Sequence, residues 1–323
     1  MSLPDRILAG DRLALARLLT QLENEAPEGQ EALGVLYIHT GDAYRIGVTG
    51  APGTGKSTLV NQLAKQLRQQ PLPGQSEEPQ VAIIAVDPTS PFSGGAILGD
   101  RIRMRDLSGD QGIFIRSMAS RGSLGGLART TGSLALALDA AGFEIILIET
   151  VGAGQAEVEV ASNAHTTIVI DAPGMGDEVQ ANKAGILEIA DILVVNKSDQ
   201  PGAENTLRVL EMTLEYARNR DPSDKKVWQP PVLPTTATTG EGIADLVEAL
   251  LAHFRYLTES GLWMVRERQQ ISSQLNAGLQ QELFERFQRA GGDAALERMV
   301  EALLGREITP REAIEKLLDS DHR

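Results

Sequence analysis

Residues Gly50 to Ser57 read GAPGTGKS, which fits the spacing G-x-x-x-x-G-K-[ST]. That spacing suits a polyphosphate. The glycines let the backbone curl so that its N–H groups face the anion, and the helix that follows adds partial positive charge at its N-terminus. Lys56 is placed to reach the β- and γ-phosphates, and Ser57 to set its hydroxyl on Mg²⁺. Gly50, Ala51, Pro52, Gly53, Thr54, Gly55, Lys56, Ser57 and Thr58 are the candidate phosphate-loop residues.

A second cluster, Asn196-Lys197-Ser198-Asp199, has the N-K-x-D arrangement that reads guanine. The Asp199 carboxylate can accept from guanine N1–H and N2–H₂, a donor pair that adenine lacks, and the Lys197 stem can lie along the base. Thr236-Ala237-Thr238 resembles the S-A-K loop whose Ala backbone N–H contacts guanine O6.

Glu149-Thr150-Val151-Gly152 stands where GTPases usually carry D-x-x-G, with the acid serving the Mg²⁺ shell and the glycine N–H meeting the γ-phosphate. Here Glu replaces Asp, and its longer side chain can serve the same shell. Ala153 follows Gly152 where Ras-like enzymes carry a water-orienting Gln, and Gln155 stands two residues further on. Slow hydrolysis in isolation is therefore expected. Asp87 and Asp100 are further candidates for the Mg²⁺ shell or for positioning water. The catalytic candidates are thus Lys56, Asp87, Glu149 and Gly152, and the metal candidates Ser57, Asp87, Asp100 and Glu149.

These clusters need a scaffold, and the hydropathy pattern supplies one. Apolar runs at Ile46–Val48, Val81–Val86, Ile145–Ile148, Thr167–Ile170 and Ile192–Val195, with a shorter one at Val232–Leu233, each end in polar residues. Runs this apolar suit strands covered on both faces by helices, so a mostly parallel sheet is predicted, with chemistry beyond the strands' C-terminal ends. Ser57 to Gln69 reads as the helix after the phosphate loop. Residues 4–25 read as helix with a break at Gly10, Ala26–Gly29 as a turn, and Gln30–His39 as a short helix. After Gly240 the pattern is helical at Ile243–Glu259, Met264–Ala290, Asp293–Leu304 and Arg311–Leu318. The division predicted is an N-terminal helical extension over 1–43, a nucleotide domain over 44–260 and a helical arm over 261–323. The stretch from Asp100 to Arg129 is rich in arginine and reads either as a solvated helical face or as a switch or partner surface.

Composition narrows the function. The chain of 323 residues is 42% apolar and only 4% aromatic, so aliphatic side chains must build the core. A net charge of −14 disfavours general nucleic-acid binding, which depends on neutralising phosphates. The absence of cysteine excludes disulfides, thiolate nucleophiles and zinc–thiolate sites. No apolar run is long enough to span a membrane, and MSLPDRILAGD does not read as a secretory signal; a cytoplasmic location is expected. The histidines His39, His165, His253 and His322 show no metal-ligand spacing and are expected to be structural or solvated.

Taken together, GVTGAPGTGKSTL, AVDPTSPFSGGAILGDRIRM, FIRSMASRGSLGGLA, ETVGAGQAEVEVA, APGMGDEVQANKAGILEIADILVVNKSD and TTATTGEGI resemble the SIMIBI class of P-loop GTPases, in the branch called MeaB or ArgK. The resemblance implies an α/β P-loop NTPase fold with a mostly parallel sheet and helical extensions at both ends. It implies a GTP/GDP- and Mg²⁺-dependent chaperone of an adenosylcobalamin-dependent acyl-CoA mutase that gates loading and repair. The cobalamin would be carried by the mutase, and the C-terminal helices would form a homodimer. It places Gln180 and Lys183 at the Q-x-x-K positions of a third switch spanning Gly176 to Lys183. Asn182 and Ser123 depart from the family's usual apolar residue and histidine. The competing readings are a GTPase for nickel or metal-centre maturation, disfavoured by the lack of Cys and clustered His, a P-loop kinase, and a dimeric scaffold.

Overall fold

The computed structural model describes residues 1–70, 78–88, 105–107, 109–120, 126–150, 162–175, 188–220, 228–289 and 291–319. Its centre is a sheet of strands β1 (Tyr44–Gly50), β2 (Val81–Pro88), β3 (Ile113–Ser120), β4 (Ile145–Thr150), β5 (Thr166–Asp171), β6 (Ile192–Asn196) and β7 (Val232–Thr235). The strand order is β3-β2-β4-β1-β5-β6-β7, and every pairing is parallel. Each residue of β1, β4, β5 and β6 is buried, as the apolar runs require of strands covered on both faces.

One face packs Tyr44, Ile46, Val48 and Leu147 against helices α4 (Lys56–Leu67) and α7 (Ile243–Ser260), with Leu59, Leu63, Val247 and Leu250 in the seam. The other face packs Ile84, Ile146 and Ile148 against α5 (Gly126–Ala140) and the N-terminal helices α1 (Leu3–Leu8), α2 (Arg12–Glu23) and α3 (Pro27–Leu36). α6 (Ala203–Arg220) lies between β6 and β7 in the chain and packs Ala203 and Leu210 on Val195.

The N-terminal helices start on side-chain caps. Ser2 and Asp5 form a reciprocal capping box for α1, and Asp11 accepts from Leu13 and Ala14 N–H at the start of α2. The break between them falls at Gly10, as expected. The turn expected at Ala26–Gly29 is not a turn. Pro27 opens α3 at its first position, where a missing N–H costs nothing, and Gly29 lies inside the helix against α2. A Cβ at Gly29 would come within 2.8 Å of Gln21 Cβ, so the glycine there serves close helix approach.

Strand β3 does not appear among the predicted strands. It lies at the sheet edge beside β2, and residues Phe114 to Ser117 are only partly buried. Its Arg116 is ion-paired with Glu23 at the end of α2, and Arg129 on α5 pairs with Glu25. These two members of the arginine-rich stretch therefore fasten the sheet edge and α5 to the N-terminal helices. Arg101, Arg103 and Arg121 lie outside the described residues, as does the side chain of Arg105.

The chain divides into two compact units, Met1–Gln270 and Ile271–Arg323. Helix α8 (Leu262–Arg289) begins in the first. Within the second, α8 continues and is followed by α9 (Gly292–Leu304) and α10 (Pro310–Asp319). No helix among the described residues is long and apolar enough to cross a membrane.

Candidate nucleotide-binding site

The C-terminal ends of β1, β4, β5 and β6 bring the predicted clusters together. Gly50 ends β1 with φ +142°, and a side chain there would run into the carbonyl of Ile170 on β5. Gly55 precedes α4 with φ +91°, and a Cβ would strike the Asn196 side-chain amide. Both glycines are thus demanded by backbone conformation and by a close neighbour at once. Between them the loop is tied by Thr54, whose hydroxyl donates to Ala51 O at 2.9 Å. Lys56, buried at the first position of α4, folds back over the loop and donates from Nζ to Gly50 O at 2.6 Å and Ala51 O at 3.0 Å. Its ammonium thus lies against the loop that is predicted to hold phosphate.

Ser57, next along α4, donates from Oγ to Glu149 Oε1 at 2.6 Å, and both side chains are buried. Glu149 stands one residue before the end of β4, aligned with Val48 of β1. A hydroxyl and a carboxylate in contact are hard oxygen donors, the class Mg²⁺ takes, so the residues present fit that ion. The backbone of Asp87 sits at the end of β2, next to β4, where Val86 aligns with Thr150; its side chain is outside the described residues. On the opposite face of the sheet edge, the buried hydroxyls of Thr150 and Thr49 meet at 3.2 Å.

Asn196 is the joint between the two halves of the site. Its Nδ2 donates to Thr54 O at 2.8 Å. Its Oδ1 accepts from Thr235 Oγ1 at 3.1 Å and from Ala237 N at 3.0 Å. Lys197, in the left-handed region with φ +58°, donates from Nζ to Gly53 O at 2.8 Å. Ser198 Oγ meets Thr236 Oγ1 at 3.0 Å. Asp199 is exposed beyond the strand end, as is Thr238. The predicted phosphate loop, Asn196–Asp199 and Thr236–Thr238 are therefore one hydrogen-bonded assembly. One detail differs from expectation: the Ala237 N–H expected to face guanine O6 is held by Asn196.

Asp171 at the end of β5 was not singled out by sequence reasoning. It is buried between β1 and β6, and its Oδ1 accepts from Ala172 N–H at 2.9 Å. Its sequence signal is the same as for Glu149 and Asn196, a polar residue closing an apolar strand. Asp100, Gly152, Ala153, Gln155, Ser123, Gln180, Asn182 and Lys183 lie outside the described residues. His165 and His253 are buried, far from the strands' C-terminal ends, and burial holds both imidazoles at about 4, so they are neutral near pH 7. His39 is exposed.

Residues 15–292 match the family described as Methylmalonyl Co-A mutase-associated GTPase MeaB. The chain belongs to the MeaB family. Among its relatives is a GTPase-named protein of Pyrococcus horikoshii, 41% identical over 315 residues that span 98% of this chain and 96% of that one. GTPase ArgK of Escherichia coli is 37% identical over 82% of this chain and 80% of its own. The mitochondrial methylmalonic aciduria type A homolog of Caenorhabditis elegans is 30% identical over 97% of this chain and 80% of its own. A crystal structure of an LAO/AO transport system kinase superposes with a TM-score of 0.73 at 27% identity, covering 99% of this chain and 97% of that one. As a MeaB-family member the chain is a P-loop GTPase, with helical segments before and after its parallel-sheet domain in the sequence.

Proposed function

We propose that this MeaB-family GTPase binds GTP and GDP with Mg²⁺ at the assembly described above and acts as a switch on an adenosylcobalamin-dependent acyl-CoA mutase. The observation that carries the nucleotide half is Asn196. It ties the phosphate loop at Thr54 to the loop at Ala237, so phosphate and base sites are built as one unit. Lys56, the loop N–H groups and the α4 N-terminus hold the phosphates, and Asp199 selects guanine. Mg²⁺, held by Ser57 and Glu149 with Asp87 and Asp100 as the further acids, would neutralise charge on the γ-phosphate oxygens. Gly152 and the segment carrying Gln180 and Lys183 are the parts that would respond to the γ-phosphate. Catalysis in such a site is mostly positioning and charge stabilisation.

The mutase half rests on the family description and on the methylmalonic aciduria homolog. Cobalamin belongs to the mutase in this reading, and methylmalonyl-CoA mutase is the default partner. A homodimer is supported by Ile271, Leu275, Leu279 and Leu283, spaced four apart on α8 and each about half exposed or more. Such a row asks for an apolar partner. The word kinase in the name of the solved relative raises ATP as the alternative nucleotide. Binding of GDP and ADP by the purified protein decides between them. Tight GDP and weak ADP binding is expected; the reverse order would overturn the guanine assignment.

A further inference from the structure

The N-terminal ends of β1, β5 and β6 carry polar residues that the nucleotide site does not use, and the first turns of α8 lie across them. Arg266 donates from both terminal nitrogens to Asp191, at 2.7 and 2.8 Å. It also reaches the carbonyl of His165. Glu267 is ion-paired with Arg45 and accepts from His165 Nε2 at 2.6 Å. His165 Nδ1 accepts the Arg45 backbone N–H at 3.1 Å, so the neutral ring carries its proton on Nε2 and donates it to Glu267. Gln270 donates to Ala164 O at 2.8 Å. Burial alone would lower the Arg266 pKa, but the hydrogen bond and charge of Asp191 outweigh it and raise it.

Apolar side chains could anchor a helix here at smaller desolvation cost. What the ionic contacts add is direction, because a bidentate guanidinium–carboxylate fork fixes both distance and angle. The adjacent residues Arg266 and Glu267 hold, respectively, Asp191 just before β6 and Arg45 near the start of β1. At the other end of the same strands, Asn196 and Lys197 of the β6 end bond the carbonyls of Thr54 and Gly53 after β1. The two brackets are roughly 16 Å apart, five strand residues at about 3.3 Å each. Between them lies β5, paired with both strands in fixed register. Bonds at the upper bracket form only if β1 and β6 end level with each other; the β5 ladders set that level, and the lower bracket ties the same two strands to α8 at their other end.

We propose that Arg266 and Glu267 are positioning residues for guanine-nucleotide binding, acting through β6 and β1 on the meeting of Asn196 with the phosphate loop. This rests on reading residues 196–199 as the guanine loop. Coupling of this kind is reciprocal, so nucleotide must also change the strength of the lower bracket.

The test uses the full chain with Arg266→Gln and Glu267→Gln, measuring Kd for GDP and kcat and KM for GTP beside thermal unfolding. Each variant is expected to weaken GDP binding by about fivefold or more, a common size for such couplings, with kcat at saturating GTP little changed. A lower Tm with unchanged Kd and KM would overturn the proposal and leave a purely structural anchor. Should both variants fail to fold, hydrogen exchange on the wild type decides. Amides of residues 262–270 should exchange more slowly with GDP than without, and equal rates would overturn the proposal. A wild type that binds no GDP would remove the guanine-loop reading itself, an outcome distinct from loss of the coupling.

Discussion

Ser57 Oγ and Glu149 Oε1 lie 2.6 Å apart, joining the first turn of the helix after the phosphate loop to the end of β4. The hydroxyl donates to the carboxylate, and both oxygens are of the kind Mg²⁺ takes. Glu149→Gln keeps the length and removes the charge. GTP hydrolysis is expected to fall by about 10- to 100-fold, with a raised Mg²⁺ requirement, as for loss of a group supporting a metal's shell. A Mg²⁺ titration of the rate checks this; an unchanged Mg²⁺ dependence would remove Glu149 from the metal region.

Lys56 spans the phosphate loop by donating to Gly50 O and Ala51 O. Lys56→Ala removes the ammonium and, with it, the bonds to Gly50 O at the end of β1 and to Ala51 O. Hydrolysis is expected to drop by about 10²- to 10³-fold, the scale of losing one preorganised donor, and nucleotide binding should weaken with it. Single-turnover rates with trace labelled GTP measure the first effect, and full retention of rate would contradict the assignment.

Asn196 and Asp199 are predicted to fail differently. Asn196→Ala strips partners from Thr54 O, Thr235 Oγ1 and Ala237 N in a buried place. A loss of about 1–3 kcal/mol in stability is expected, with weaker binding of every nucleotide. Asp199 is exposed, so Asp199→Asn should leave Tm unchanged and move preference from guanine toward xanthine, because the amide can donate to the O2 that replaces N2–H₂. Competition between GDP and XDP reads the change; unaltered preference would sink the base assignment.

His165 and His253 give the fold a pH dependence. Burial lowers both to about 4, below the ordinary 6.5. The unfolded chain therefore takes up protons first as pH falls. The stability associated with the neutral rings is fully present above about pH 6.5 and is lost progressively toward pH 4. Each ring is expected to cost about 2 kcal/mol by pH 5. Thermal unfolding at pH 7 and pH 5 should show a fall in Tm that is smaller in His253→Gln; equal falls would contradict the account.

Much of this was legible in the chain because it is local. GAPGTGKS, NKSD and the apolar strand runs are contiguous, and each run's end marks a place at one sheet edge. β3 was hidden because IFIRSMAS is an edge strand with Arg116 and Ser117 in its middle, so its pattern does not read as a doubly covered strand. The partner that explains Arg116 is Glu23, far away in sequence. The lower bracket was invisible for the same reason. Arg45, His165, Asp191, Arg266 and Glu267 share no spacing, and only the folded sheet brings them together. The helix start at Pro27 was misread because proline and glycine signal turns as readily as a first helical position and a close helix approach.

The most direct test of the account is the GTP hydrolysis rate of the purified protein, alone and with an adenosylcobalamin-dependent acyl-CoA mutase added. A slow basal rate that rises markedly with the mutase is predicted. A rate that is fast alone, or one that no such mutase alters, would contradict the switch proposed here.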